Sequence, residues 1–266
     1  MSEKKFAFED FLSHPLPAME PYDDVPAPHP AAVASAYHAY DQLNSTFPGL
    51  VADFEEKYAA WEAIWYTGEN AISSHSATRA QGPEFEALVA LGPKIIPLVV
   101  KKLAMPENEH MFAVELYNVL EKDERVKVHP EHGAPSTHGN LLDYCVLQRQ
   151  ANLLVDMNDA RTQAINSKHA AWYELCESVA HSSNSSSRTE SDEYEDLLGM
   201  GASAIPQHML EYANNPDGWH HELLHETVHG QRSGTGTWFK DREYQQWVDW
   251  FEHKDYRDAP KSSVYA

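Results

Sequence analysis

An internal repeat is the feature that most limits how this chain can fold. Residues 76–104 and 185–213 carry the same pattern at a constant offset of 109 positions. A duplicated pattern of this kind indicates a duplicated supersecondary unit, each copy needing a neighbour to bury its apolar face. The identical pairs are Ser76/Ser185, Arg79/Arg188, Glu84/Glu193, Glu86/Glu195, Leu88/Leu197, Gly92/Gly201, Ile96/Ile205, Pro97/Pro206 and Ala104/Ala213.

Each copy predicts two helices with a glycine and a proline at their junction. The first copy reads Leu-Gly-Pro-Lys-Ile-Ile-Pro-Leu-Val-Val-Lys-Lys-Leu, and the second reads Met-Gly-Ala-Ser-Ala-Ile-Pro-Gln-His-Met-Leu-Glu-Tyr. Gly92 suits a left-handed helix stop, and Pro97 fits the first turn of the next helix. The pattern resembles HEAT-like repeats of the armadillo type, and the whole arrangement is similar to a group of uncharacterised fungal two-repeat proteins. The resemblance implies a right-handed helical superstructure and no particular chemistry.

The fold class is therefore predicted as all-α, with two HEAT-like units forming a compact α-α superhelical body. Apolar residues recur at helical spacing, and strand-like alternation is absent from the sequence. The predicted parts are a Pro-rich arm and short helix at 1–50, a first unit at 51–123, a loop and connecting helix at 124–159, and a second unit with a C-terminal capping helix at 160–266. Helices are predicted at 30–43, 51–66, 83–91, 94–104, 109–122, 141–159, 160–180, 191–200, 203–213, 217–230 and 241–254.

Charge and cysteine content narrow the classes of partner. Forty-one acidic residues against 20 basic ones give a net charge of −21. Such a charge repels phosphate backbones and anionic lipids, so we expect neither nucleic acid nor membrane as a partner. Cys145 and Cys176 have no close pairing, which is typical of a reducing compartment, and the first residues lack the apolar core of a signal peptide. These features predict a cytoplasmic protein, and the sequence leaves its oligomeric state open.

A histidine-rich string at 220–229 contains the motif H-E-x-x-H. On a helix this motif places His221 and His225 on one face with Glu222 beside them, which is how zinc proteases bind their metal and activate its water. Asp241 follows as a candidate third ligand. The His-Glu pairs also resemble those that hold two irons in deoxyhypusine hydroxylase, a HEAT-repeat enzyme, although here both pairs lie on one helix.

The repeat gives the same string a structural explanation. It aligns His221 with Phe112 and His225 with Leu116, so the helix is expected to form as a packing element without any metal. We therefore expect no cofactor, with zinc or iron at His221 and His225 as the alternative.

The predicted connecting helix carries a polar stripe that is a candidate ligand site. Arg149, Asn152 and Asp156 fall on one face of it. Between two units, such a stripe would present donors and acceptors to a polar ligand, whereas on the surface it would be an ordinary solvated face. Three tryptophans are candidates for an aromatic wall of the same pocket, although most tryptophans at apolar helix positions belong to a core. They are Trp65, Trp172 and Trp219.

Three functional hypotheses follow. The first is a binding or scaffold protein that holds a small molecule or a protein partner in the groove between two repeat units. The second is a cofactor-free small-molecule enzyme, such as a cyclase, isomerase or hydrolase of fungal metabolism, with an aromatic pocket between the repeats. Its catalytic candidates are Arg149, Asp156, Tyr117 and His225. The third is a metal-dependent enzyme that uses His221, Glu222 and His225. A closed pocket with convergent polar groups favours the second hypothesis, and convergent ligand atoms favour the third.

Overall fold

The computed structural model describes residues 8–9, 27–73, 75–106, 109–128, 141–181, 185–233 and 240–261. Every regular element among these residues is a helix, which confirms the predicted all-α fold class. None of the described helices is long and apolar enough to cross a membrane. The α-helices are α1 Pro30–Thr46, α2 Pro48–Ala63, α3 Pro83–Leu91, α4 Ile96–Leu103, α5 Ala113–Leu120, α6 Leu141–Ser178, α7 Asp192–Leu198, α8 Ile205–Asn214, α9 His220–His229 and α10 Lys240–His253.

Prolines and glycines set several of these boundaries. Pro30, Pro48 and Pro83 are the first residues of α1, α2 and α3, a position where the missing N–H costs no helical hydrogen bond. Gly92 and Gly201 follow α3 and α7 in nearly the same left-handed conformation, with φ values of 69° and 71°. Because side chains disfavour this region, glycine is the residue that allows each chain to turn into the next helix.

One predicted helix boundary is wrong. The sequence suggested separate helices at 141–159 and 160–180, whereas α6 runs without interruption from Leu141 to Ser178. No glycine or proline lies within α6, so no residue strongly opposes its continuation. Near the predicted break, the side chain of Asn158 donates a 3.1 Å hydrogen bond to the hydroxyl of Tyr117. The predicted boundary between connecting helix and second unit therefore lies inside a single helix.

The predicted N-terminal arm is described only at residues 8–9 and 27–29, and both pieces contact α6. Phe8 is 7% exposed, and its ring lies 5.4 Å from the guanidinium carbon of Arg161. The backbone N–H of His29 donates to a carboxylate oxygen of Asp156 at 2.7 Å. The rest of the arm, and residues 129–140 of the predicted central loop, lie outside the described residues.

Within the described residues, the helices of each half of the chain pack on one another. In the first half, α2 packs on α3, and both α3 and α4 pack on α5. In the second half, α6 packs on α7, and both α7 and α8 pack on α9. Helix α1 contacts α4, α6 and α8, so it packs on helices of both halves. Helix α10 contacts α2 and α9, so it also packs on both halves.

Two close contacts anchor the C-terminal end of α10 on the first half. The buried ammonium of Lys94 donates to the carbonyls of Trp250 and Phe251, each at 3.0 Å. A cation at this position satisfies carbonyls left unpaired at a helix C-terminus and complements the helix dipole. Gly92 lies so close to Tyr256 that a Cβ atom on Gly92 would be 2.5 Å from that side chain. Both contacts depend on the turn between α3 and α4.

Candidate functional site

The polar stripe of α6 is mostly buried. Arg149 and Asn152 are 4% and 7% exposed, so the stripe is not a solvated face at these positions. Asp156 is half-buried and accepts the backbone N–H of His29 at 2.7 Å. Burial raises the pKa of the Asp156 carboxyl, although the bond from His29 opposes this shift. The carboxylate therefore helps to hold the N-terminal end of α1 on α6.

Tyr117 belongs to a buried polar network at the junction of the two halves. Its hydroxyl receives a 3.1 Å hydrogen bond from Asn158 and lies 3.4 Å from Glu121. Glu121 forms a 2.8 Å ion pair with Arg161 and accepts the hydroxyl of Ser203 at 2.8 Å. Burial raises the pKa of Tyr117 to about 12, so its phenol is protonated at neutral pH. The network is well satisfied, which is the arrangement that makes buried polar groups structurally specific.

A crevice beside this network leaves little room for a ligand. Its volume is about 20 Å³, and a water molecule needs about 10–15 Å³. It lies between α1, α4, α6 and α8. Its polar lining residues are Ser35, Asn158, Asp159, Arg161, Thr162, Ser203 and Gln207.

The H-E-x-x-H residues hold the segment that follows their helix. Glu222 accepts the hydroxyl of Ser233 at 2.6 Å, and His225 Nδ1 lies 2.9 Å from the carbonyl oxygen of Gln231. His221 Nε2 lies 3.9 Å from Glu222. Asp241, the candidate third ligand, is exposed at the start of α10. Within the described ranges, no three His, Cys, Asp or Glu side chains are grouped so that they could hold a metal ion.

The three candidate tryptophans lie in different surroundings. Trp65 is 1% exposed within the main core, and Trp172, also 1% exposed, lies in a smaller core cluster of the second half. Trp219 packs against that smaller cluster and is half-buried. The guanidinium of Arg188 lies 5.6 Å from the centre of its ring, a distance that allows a cation–π contact. Trp65 therefore shares no wall with the other two.

A buried histidine cluster in the second half was not predicted from the sequence. His169, His208 and His220 are 2%, 0% and 0% exposed. His169 Nε2 lies 2.9 Å from His208 Nδ1, and His220 Nε2 lies 2.9 Å from the hydroxyl of Tyr173, which donates to Glu211 at 2.9 Å. The remaining ring nitrogens of the three histidines make no hydrogen bond within the described part of the chain.

Burial decides the protonation of this cluster. It lowers the pKa of His169 to about 4 and that of His220 to about 3. It also lowers the pKa of His208 well below its usual value, and the neighbouring histidines add to that shift. All three imidazoles are therefore neutral at physiological pH, so they act as hydrogen-bonding groups rather than as cations.

A buried histidine of the first half, His110, has similar surroundings. His110 Nδ1 lies 3.3 Å from the hydroxyl of Tyr58 and 3.1 Å from a carboxylate oxygen of Glu62. Burial lowers the pKa of His110 to about 4 and raises that of Glu62. A comparison at offsets of 110 and 111 would have exposed this relationship, since it pairs His110 with His220 and Tyr58 with His169.

A groove runs along α6 between α7 and the N-terminal residues Phe8 and Glu9. Its volume is about 460 Å³. Short side chains of α6 form the floor, Phe8 and Glu9 line one part of it, and acidic residues of α7 line another. The ammonium of Lys168 pairs with Asp196 at 3.1 Å across it. Its lining residues are Phe8, Glu9, Ala160, Gln163, Ala164, Ser167, Lys168, Ala171, Glu193 and Asp196.

Comparisons with known proteins do not assign this site. No family model matches the sequence, and no curated protein or solved structure shows significant similarity to the chain.

Proposed function

We propose that this protein is a non-catalytic helical-repeat protein that binds a positively charged peptide segment in the groove between α6 and α7. The main observation that supports this proposal is the size of the groove. Its volume of about 460 Å³ falls within the roughly 300–1,000 Å³ of known ligand pockets. The crevice at the junction of the halves has about 20 Å³, and the one beside His225 has about 10 Å³. Neither has room for more than about one water molecule.

The charges around the groove favour a cationic ligand. Glu9, Glu193 and Asp196 contribute carboxylates to its lining. Among the described residues that line it, Lys168 is the single cation, and it is paired with Asp196. The net charge of −21 extends the same preference over long distances, because a strongly acidic protein attracts positively charged partners and repels polyanions.

The floor of the groove favours an extended ligand such as a peptide. Ala160, Ala164, Ser167 and Ala171 are spaced by four, three and four residues along α6, so they lie on one face of the helix. They span about 16 Å at 1.5 Å per residue. Short side chains along such a length allow the backbone of a bound segment to approach closely.

The duplicated helical organisation is part of the proposal. In each half an indole donates to the carbonyl of the repeated arginine: Trp61 to Arg79 at 2.6 Å, and Trp172 to Arg188 at 2.8 Å. Each arginine in turn donates to a backbone carbonyl 2.9 Å away at equivalent positions of the two halves. These contacts support two HEAT-like units. Two free cysteines, Cys145 and Cys176, support a cytoplasmic location.

The candidate catalytic residues support binding better than catalysis. Tyr117 bonds within the buried network, Asp156 accepts from His29, and His225 bonds to the segment after α9. Each of these side chains has a structural partner, and the crevices next to Tyr117 and His225 are small. A reacting substrate needs room beside such groups.

Binding of peptides sorted by net charge tests the proposal. We expect basic peptides to bind and acidic ones not to, with affinity that falls as salt is added. Asp196→Lys should weaken binding about tenfold or more, because it places a cation on the groove. Asp192→Lys makes the same charge change on α7 outside the groove lining, so it is the matched control. Equal binding of both peptide classes, or equal effects of the two variants, would contradict the proposal.

A further inference from the structure

Two carboxylates of α7 and one ammonium of α6 line the groove proposed as the peptide site. Glu193 and Asp196 are three residues apart on α7, and both belong to the lining. Side chains at this spacing are neighbours on a helix surface, with Cβ atoms about 5–6 Å apart. The ammonium of Lys168 lies 3.1 Å from a carboxylate oxygen of Asp196. The groove therefore already holds one cation against an acidic pair.

The ammonium satisfies only part of this acidic pair. Within the described residues, Glu193 forms no ion pair, and Asp196 is the partner of Lys168. An ammonium is a compact charge, whereas a guanidinium is planar and has five N–H donors. A guanidinium can therefore donate to two neighbouring carboxylates at once. The two carboxylates suit an arginine better than the lysine that lies beside them.

The contact between Lys168 and Asp196 is easily exchanged. Their side chains are 24% and 65% exposed, and an ion pair as exposed as this adds little to the stability of a fold. Ala164 and Ala171, about one turn before and after Lys168 on α6, also line the groove. Their short side chains leave room beside the lysine for the apolar stem of another long side chain.

We propose that the groove selects arginine: the guanidinium of a ligand arginine bridges Glu193 and Asp196 and displaces the ammonium of Lys168. This inference rests on the proposed function, because it names the side chain that the same site recognises. The lysine competes with every incoming cation, so a ligand that makes one contact gains less from the exchange than a ligand that makes two.

Paired peptides test the selection with the full chain. The probes are two synthetic peptides of the same length and net charge, with arginine or lysine at every basic position, and isothermal titration calorimetry measures their binding. We expect the arginine peptide to bind the wild type at least about tenfold more tightly than the lysine peptide. Glu193→Gln should remove this preference, because the guanidinium then has one carboxylate of α7 to contact. Glu195→Gln makes the same change on α7 outside the lining and should keep the preference.

A double-mutant cycle tests the displacement of Lys168. Lys168→Met keeps an unbranched side chain without the charge, so it should tighten binding of the arginine peptide by about fivefold, the contribution of an exposed ion pair. In the Asp196→Asn background the same change should have a much smaller effect, because the ammonium no longer occupies the ligand's contact. A gain that is equally large in both backgrounds would show a general effect of charge and would contradict displacement.

The outcomes also separate this inference from the proposed function. Equal affinities of the two peptides for the wild type would overturn the selection of arginine, as would a preference that survives Glu193→Gln. If both peptides bind equally and both lose affinity with Ala171→Trp, this inference fails and the peptide site stands. If neither peptide binds the protein, both fail.

Discussion

The guanidinium of Arg161 lies 2.8 Å from the carboxylate of Glu121, and the two side chains are only 5% and 2% exposed. Arg161 comes from α6, which joins the halves, and Glu121 follows α5 at the end of the first half. Ser203 of the second half donates to the same carboxylate. Together with the Ser203 hydrogen bond, this ion pair therefore connects α6 with residues of both halves. Its burial means that either charge becomes costly once its partner is removed.

Removal of one partner should be much more damaging than removal of both. We expect Glu121→Leu to lower the free energy of unfolding by about 3–5 kcal/mol, because it leaves the Arg161 cation buried without a counter-charge. The double variant Glu121→Leu/Arg161→Leu should cost less than either single change, because it leaves no unpaired buried charge. Urea unfolding of the four proteins measures this coupling.

The surface pair between Lys127 and Glu124 is the control. Their charged atoms are 2.6 Å apart, and the Glu124 side chain is 71% exposed. Lys127→Ala should therefore cost at most about 1 kcal/mol. A cost for Glu121→Leu as small as this would show that the buried pair does not fix the junction.

The equivalent tryptophans of the two halves should respond equally to substitution. Trp61→Phe and Trp172→Phe each remove an indole donor from the carbonyl of a repeated arginine. We expect each change to lower the free energy of unfolding by about 1–3 kcal/mol, because a buried carbonyl loses its partner and a smaller ring leaves a void. Denaturant unfolding measures both. A substantial cost in one half and none in the other would argue against equivalent units.

Acid should destabilise the fold through its buried histidines. Burial lowers the pKa values of His110 and His169 to about 4 and that of His220 to about 3, whereas an unfolded histidine titrates near about 6.5. Below that pH the unfolded chain binds protons that the folded chain does not. The free energy of unfolding is therefore highest above about pH 6.5, where these histidines are neutral in both states. It falls as the pH drops toward 4, by up to about 1.4 kcal/mol per pH unit for each histidine.

A variant at position 208 tests this explanation. The sequence repeat aligns Val99 with His208, and both side chains are fully buried, so valine suits the buried site at 208. Between about pH 6.5 and 4, His208→Val should reduce the dependence of the unfolding free energy on pH by up to about 1.4 kcal/mol per pH unit, which corresponds to one proton. Met209→Val, at the neighbouring buried position, should lower stability at every pH and leave the slope unchanged. An unchanged slope in His208→Val would mean that acid acts elsewhere.

The H-E-x-x-H string should not make this a metalloprotein. His225 and Glu222 bond to Gln231 and Ser233, and no group suited to a metal occurs in the described ranges. We expect elemental analysis of purified, untagged protein to find zinc and iron far below one atom per chain. Stoichiometric metal that disappears in His225→Ala would refute this expectation and favour the metal-dependent enzyme.

The helices could be predicted where local chemistry sets their ends. Pro83 and Gly92 mark α3 at both ends, and the sequence placed this helix at its observed bounds. The break expected near residue 160 was wrong: no glycine or proline interrupts α6 there, and Asp156 and Asn158 lie within the helix. Their side chains bond to groups far away in sequence, His29 and Tyr117. Periodicity carries no information about such distant partners.

The polar clusters could not be predicted by reading the repeat at one offset. At 109 residues, His221 aligns with Phe112, and the relation between His110 and His220 stays hidden. A single offset does not detect pairs that are shifted by one or two positions between the two copies of the pattern. The groove was also beyond the sequence analysis, because it depends on Phe8 of the predicted arm meeting α6 and α7.

The most direct test of the account compares the binding of one basic peptide to the wild type, Ala170→Trp and Ala171→Trp by isothermal titration calorimetry. The two variants add the same side chain to neighbouring exposed positions of α6, and only Ala171 lines the groove. We predict that Ala170→Trp binds as the wild type does and that Ala171→Trp loses at least about tenfold in affinity, or 1.4 kcal/mol. Equal affinities for all three proteins would place the ligand elsewhere and contradict the proposed peptide site.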